Sequence, residues 1–209
     1  DFVDLGKRLG MTIQCAITFG EQPLGYAIGP ALEAREALAT LIGGGPQDLR
    51  EKAVILAGIL LEMVGVKGGR QRAENVLQSG RAERKLRDII SAQGGNPDVK
   101  PDDIQVGNQR VEITSPQAGR VLWMSTDSIV QIARAAGAPK EKGAGVLLNA
   151  KLGEAVKKGG LLFEIYAERN SKLESALEIA QRLKPVVLSK RVEEQMLLDQ
   201  IPEKVRGEK

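Results

Sequence analysis

The chain has 209 residues, 42% of them apolar and only 3% aromatic, with 30 basic against 27 acidic side chains and a formal net charge of +3. It contains no histidine and one cysteine, Cys15, which removes Ser-His-Asp and Cys-His catalysis, imidazole acid–base chemistry, histidine zinc sites and any internal disulfide. Chemistry in these residues therefore rests on carboxylates, Lys, Arg or hydroxyls, and the interspersed charge with few aromatics predicts a solvated surface and no nucleic-acid partner.

In chain order, "DFVDLGKRLG" reads as the tail of a helix, with Phe2, Leu5 and Leu9 on one face and Gly10 as the stop. "MTIQCAIT", residues 11–18, is β-rich and mostly apolar, which predicts a strand covered on both faces with Cys15 as a buried structural thiol. The unpaired cysteine predicts a reducing, cytoplasmic setting. Helix, turn and buried strand make half of a βαβ unit whose preceding strand is missing, so the chain is expected to start inside a domain. A Gly/Pro-punctuated loop follows and runs into the helix "PALEAREALATLIGGG", with Pro30 in its first turn.

A second helix, "PQDLREKAVILAGILLEMVG", carries an apolar run too short to span a membrane. Leu56, Leu60, Leu61 and Val64 recur on it at helical spacing and predict its buried face. "GRQRAENVLQSG" and "GRAERKLRDIISAQGG" read as two further helices. The Pro/Asp-rich "NPDVKPDD" marks a linker, dividing the chain into residues 1–95, the linker 96–103, a second domain 104–189 and a tail 190–209. Beyond the linker the texture is short strands: "DIQV", "RVEIT", "GRVLWMS", "GVLLNAKLG" and "LLFEIYAE". The helix "DSIVQIARAAG" interrupts them with Ser125 or Thr126 as N-cap, and a last helix opens on a capping box of Ser171 and Glu174. In the tail, Val192, Met196, Leu197 and Ile201 form a short apolar stripe that either folds back on its own domain or docks on a neighbouring subunit.

The glycine-rich spots "LIGGGPQD", "VKGGR" and "EKGAGV" match neither the P-loop nor the dinucleotide-binding pattern, and helix caps and turns account for them. The "KGAG" at residue 142 is the one that reads as a long loop able to close on a ligand. "ITSPQAGRV" with "KLGEAVKKGGLLFEIYAE" is similar to the barrel-sandwich module of biotin and lipoyl carriers. Arg169 stands where the carrier's lysine would be and cannot form its amide link, so the similarity implies the fold alone.

"AITFGEQPLGYAIGPALEAREAL" closely resembles the thymidine and pyrimidine-nucleoside phosphorylase family, with its Gln-Pro-Leu-Gly loop followed by a Gly-x-Ala-Leu-Glu helix start. "CAIT" before the loop and "IGPALEAREAL" after it look most like the archaeal branch, the AMP phosphorylases, and "IARAAGAPKEKGAGVLLNAKLGEAVKKGGLLFEIYAE" extends the likeness into the second domain. The resemblance implies the C-terminal part of a parallel α/β phosphorylase domain with a helical cluster, then a small barrel-sandwich-like α+β domain. It implies cleavage of the N-glycosidic bond of AMP or another nucleoside monophosphate by inorganic phosphate, a thymidine or pyrimidine-nucleoside phosphorylase being the alternative. It also implies no organic cofactor and a homo-oligomer, at least a dimer. The family's phosphate loop and Ser-x-x-Ser-Lys-Lys base segment are absent here, so the catalytic residues are expected upstream of Asp1. One family site does map: the carbonyls of Leu24 and Ala27 and the side chain of Glu36 fall on ligands of a monovalent cation such as potassium. From a different class, the competing reading is a non-catalytic assembly module.

Overall fold

The computed structural model describes residues 2–189. The first helix, α1 (Phe2–Arg8), ends as predicted before Gly10, which takes the left-handed φ of +68° that a helix stop requires. Residues 11–20 then run without regular structure and exposed, except for the half-buried Ile13, so the predicted strand does not form. A strand needs a neighbour to satisfy its backbone donors and acceptors, and among the described residues none pairs with this stretch. Cys15 is accordingly exposed and not the buried thiol expected of it.

Four helices follow: α2 (Pro30–Leu41), α3 (Gln47–Met63), α4 (Gly69–Gln78) and α5 (Arg81–Ala92). Pro30 sits in the first turn of α2, whose missing N–H would have had no partner there. Helix α3 overturns the predicted leucine face. Its buried positions are Val54 and Gly58, while Leu56, Leu60 and Val64 are exposed and Leu61 is half-buried. The physical reason is a notch. Gly58 faces Gly69 at the start of α4 so closely that a Cβ at Gly58 would stand 2.7 Å from the Arg70 backbone. The run is apolar on every side of the helix, and close backbone approach, not side-chain bulk, selected the face that packs.

Past a single 3-10 turn at Pro101–Asp103 the chain becomes β2 (Gln109–Thr114), β3 (Gly119–Met124), α6 (Thr126–Ala136), β4 (Gly145–Leu148), β5 (Ala155–Val156), β6 (Leu161–Ala167), α7 (Asn170–Leu183) and β7 (Val186–Ser189). The predicted strand "DIQV" is not one, and only past it does Gly107 donate its amide to the Gly143 carbonyl at 2.8 Å. Ser125 caps α6 by accepting a hydrogen bond from the Ser128 amide at 3.2 Å. The predicted capping box at Ser171 does not form: α7 begins a residue earlier, and Asn170 donates to Glu174 at 2.7 Å, one turn on.

Two antiparallel sheets result. A short strand from the first half, β1 (Ala27–Ile28), edges a four-stranded sheet of order β1-β4-β6-β2, and the other sheet runs β5-β3-β7. Every strand pair among the described residues is antiparallel, so a mixed α/β fold is present but the expected parallel sheet is not among these residues. The core lies between the sheets and α6 and α7, built on Ile129, Ile132, Val146, Leu148, Phe163 and Ile165. Each such side chain gains about 1.5–3 kcal/mol from burial. Strand β6 is central, and Leu162 through Ile165 are all buried on both faces of the strand, including Glu164, whose charge is met by Arg110 on β2. Among the described residues no helix is long and apolar enough to cross a membrane. The apolar stripe of the tail lies outside the described residues.

Candidate functional site

The loop at residues 20–29 is where the two halves meet. The Tyr26 carbonyl accepts the Leu148 amide at 2.8 Å, continuing the pairing of Ala27 with Leu147 and Ile28 with Val146. Gly29 and Gly145 let this crossing form, since a Cβ at Gly29 would stand 2.8 Å from the Gly145 Cα. The "KGAG" segment is thus a buried crossing and not an open ligand-closing loop: Gly143 donates to the Glu168 carboxylate at 2.8 Å, and Ala144 is fully buried.

Of the three residues predicted to bind a cation, Ala27 is buried in β1, Leu24 lies exposed at the rim of the loop, and Glu36 reaches back from α2. The Glu36 carboxylate accepts the Tyr26 amide at 2.9 Å and is also bonded by the Ala27 amide, so it faces the loop backbone. Its neighbour Arg35 points elsewhere and donates to the Ile104 carbonyl at 2.5 Å, tying α2 to the residue just past the linker. Burial pushes the Glu36 carboxyl above the usual range. The two amides oppose this, nearby Asp48 adds to it, and Lys151 opposes it. The backbone groups that meet this half-buried carboxylate are amide donors, the N–H groups of Tyr26 and Ala27. Among the described residues no group of three or more His, Cys, Asp and Glu is placed to hold a metal, so any such ion must lean on carbonyls.

Lys151, in the turn after β4, is the residue that sequence reading did not find. It is 6% exposed, and its ammonium donates to the Pro23 carbonyl at 2.6 Å, to the Gly25 carbonyl and to Asp48 Oδ2 at 3.0 Å. It also stands 5.1 Å from the centre of the Tyr26 ring. Asp48, at the start of α3, accepts the Gly25 amide at 3.2 Å as well. Burial raises the Asp48 carboxyl, but the hydrogen bond and charge of Lys151 with the Leu49 and Gly25 amides outweigh it and hold it below the ordinary aspartate range. The Gln22 side chain accepts the Leu152 amide at 2.9 Å, so the loop is gripped at several points. No local signal could have indicated Lys151, because its partners lie 126 and 128 residues away in sequence.

Residues 121–184 match the family described as the pyrimidine nucleoside phosphorylase C-terminal domain. Over most of its length the chain is similar to AMP phosphorylases: 53% identity over 190 residues to that of Pyrococcus horikoshii, covering 89% of this chain and 38% of the relative. The AMP phosphorylase of Methanosarcina acetivorans is 47% identical over 206 residues, covering 97% of this chain and 40% of the relative. AMP phosphorylase 1 of Archaeoglobus fulgidus is 50% identical over 191 residues, 90% of this chain and 38% of that protein. The chain spans about two fifths of the length of these curated relatives.

Proposed function

We propose that this chain is part of a phosphorylase that cleaves the N-glycosidic bond of AMP and other nucleoside monophosphates. A phosphate oxygen bonds to the sugar C1′ as the C1′–N bond breaks, the base leaves with a proton, and AMP yields adenine and ribose 1,5-bisphosphate. The observation that carries this reading is the 53% identity to an AMP phosphorylase over 89% of the chain, spanning the loop, the helices and the second unit together. The phosphate- and base-binding residues belong, in this reading, to the part of the relatives' length that the chain does not span. The exposed apolar residues Ile17, Phe19, Leu60 and Val64 support it, since such a face requires a covering surface.

The finer architecture belongs to the same proposal: residues 1–95 complete a parallel α/β domain, 96–103 link, 104–189 form a barrel-sandwich-like domain, and 190–209 are a tail. The two antiparallel sheets of the second unit support the sandwich. The Leu24 and Ala27 carbonyls with the Glu36 carboxylate would hold a potassium-like ion, whose charge would offset that of the buried carboxylate. The working protein is a cytoplasmic homo-oligomer, at least a dimer, taking phosphate and a nucleotide, without nucleic-acid or membrane partners.

The test is release of base with excess phosphate from AMP, CMP and thymidine, by the longer protein carrying this chain and by the 209 residues alone. AMP turnover by the longer protein and none by the chain alone is expected. Preference for thymidine moves the reading to a pyrimidine-nucleoside phosphorylase. No turnover of any of the three, with assembly intact, favours the assembly module. Turnover by the chain alone that a point change abolishes overturns the placement of the catalytic set.

A further inference from the structure

The contacts of Lys151 have the form of an ion site. A desolvated monovalent cation is held by replacing its water shell with main-chain carbonyls and a carboxylate. Here two carbonyls of one loop, Pro23 and Gly25, and the Asp48 carboxylate converge on one positive nitrogen that is nearly closed to solvent. An ammonium has three protons, and these three oxygens use all of them. The Tyr26 ring, 5.1 Å away, adds a face that favours a cation of either kind. Gly25, which carries one of the two carbonyls, adopts a φ of +65°, a conformation that glycine enters without penalty.

The nitrogen is also fixed from behind. The Lys151 amide donates to Glu154 Oε2 at 3.0 Å and the following Leu152 amide to the Gln22 side chain at 2.9 Å, so the turn that carries the lysine is itself ordered. The bare loop would have two buried carbonyls and a carboxylate aimed at one point, with a desolvation cost for each that goes unpaired. A free ion could meet that demand only at the cost of its own dehydration and its dependence on concentration. A tethered one meets it at all times.

We propose that Lys151 is a tethered monovalent cation: its ammonium stands where a potassium or ammonium ion would stand among Pro23, Gly25 and Asp48, and it fixes the loop of residues 20–28 from the second unit. Lys151 is a positioning residue. The inference does not depend on the phosphorylase reading, and the position is distinct from the carbonyls of Leu24 and Ala27. Its consequence is a latent site: removing the side chain beyond Cβ leaves the three oxygens and a channel the length of a propylammonium ion, which a small or alkylated cation can fill.

The experiment compares the thermal midpoint of the chain as wild type, Lys151→Ala and Lys151→Met in choline, potassium and n-propylammonium chloride at one ionic strength. Each variant is read as its difference from wild type in the same salt, which cancels any ion bound elsewhere. The Lys151→Ala variant is expected to lose stability in choline and to regain at least half of the loss in potassium or propylammonium. Lys151→Met, which fills the channel with an uncharged chain, is expected to lose stability in all three salts without recovery. Equal behaviour of the two variants, or no salt-specific recovery of Lys151→Ala, overturns the proposal. Should Lys151→Ala fail to fold in choline, folding restored by potassium or propylammonium supports it, and failure in all three salts overturns it. None of these readouts involves turnover, so the proposed enzymatic activity can fail while this inference stands.

Discussion

In residues 104–189, Ile129, Ile132, Val146 and Ile165 have 0% exposure, and two sheets and two helices close over them. In residues 2–95, Ile17 is 103% exposed, Val64 76%, Leu60 63% and Phe19 63%, and the helices bury little beyond the Gly58 notch and the inner side of α2. Both regions are rich in apolar side chains, so composition does not separate them. What separates them is supply of partner surface. The second unit carries both sides of its own interface, whereas the first presents one side.

The comparison can be broken most sharply at the core of the second unit. Phe163→Ala empties a fully buried position on the central strand and should lower the unfolding free energy by about 3–5 kcal/mol, measured by denaturant unfolding. A loss below about 1 kcal/mol would mean that this core is not the stable part of the chain. A smaller effect is expected in the first region, at the notch. Gly58→Ala places a methyl 2.7 Å from the Arg70 backbone and should cost about 1–3 kcal/mol by forcing α3 from α4. A neutral outcome would show that the two helices do not hold each other this closely.

The junction between the regions should respond to acid. Asp48 is held below the ordinary aspartate range when folded, so its contribution is present above the unfolded value of about 3.9 and is lost as pH falls through the lower folded value. Over a third of the Asp48 side chain is exposed, so solvent screening keeps the effect below about 1 kcal/mol. Asp48→Asn should flatten the stability profile below about pH 4, and an unchanged profile would remove Asp48 from the junction's energetics. The smallest effect is expected at Leu60→Ala, below about 0.5 kcal/mol in this chain because the side chain is already exposed. In the longer protein the same change should cost about 2–5 kcal/mol if that face is covered there. Equal costs in the two settings would erase the difference between the regions.

How much of this was legible follows the same division. Helices α2 to α5 and strands β2, β3, β4 and β6 were readable because periodicity, proline and glycine act locally. The strand over residues 11–18 was misread because β-rich composition reports a preference that only a neighbouring strand can satisfy. The face of α3 was misread because leucines recur all round it, and two glycines eleven residues apart decided the packing. Strand β7 carries "VVLS" directly after α7 and exists through its pairing with β3, a partner some sixty residues earlier. At the site, the likeness of the loop to a known family pointed to Leu24, Ala27 and Glu36, and the structure sets the Glu36 carboxylate on the Tyr26 and Ala27 amides. Lys151 and Asp48 were not, since an ion pair between residues 103 apart leaves no trace in spacing.

The two-residue strand β1 has a consequence for solubility. The outer edges of the four-stranded sheet are β2, which alternates Arg110 and Glu112 with Val111 and Ile113, and β1. Lifting β1 away would make β4 the edge, with the sequence Gly-Val-Leu-Leu and no charge on it to discourage another strand. Ala27 and Ile28 therefore act as a guard rail, and the second unit produced without residues 20–29 would offer an open, uncharged template to every other copy of itself.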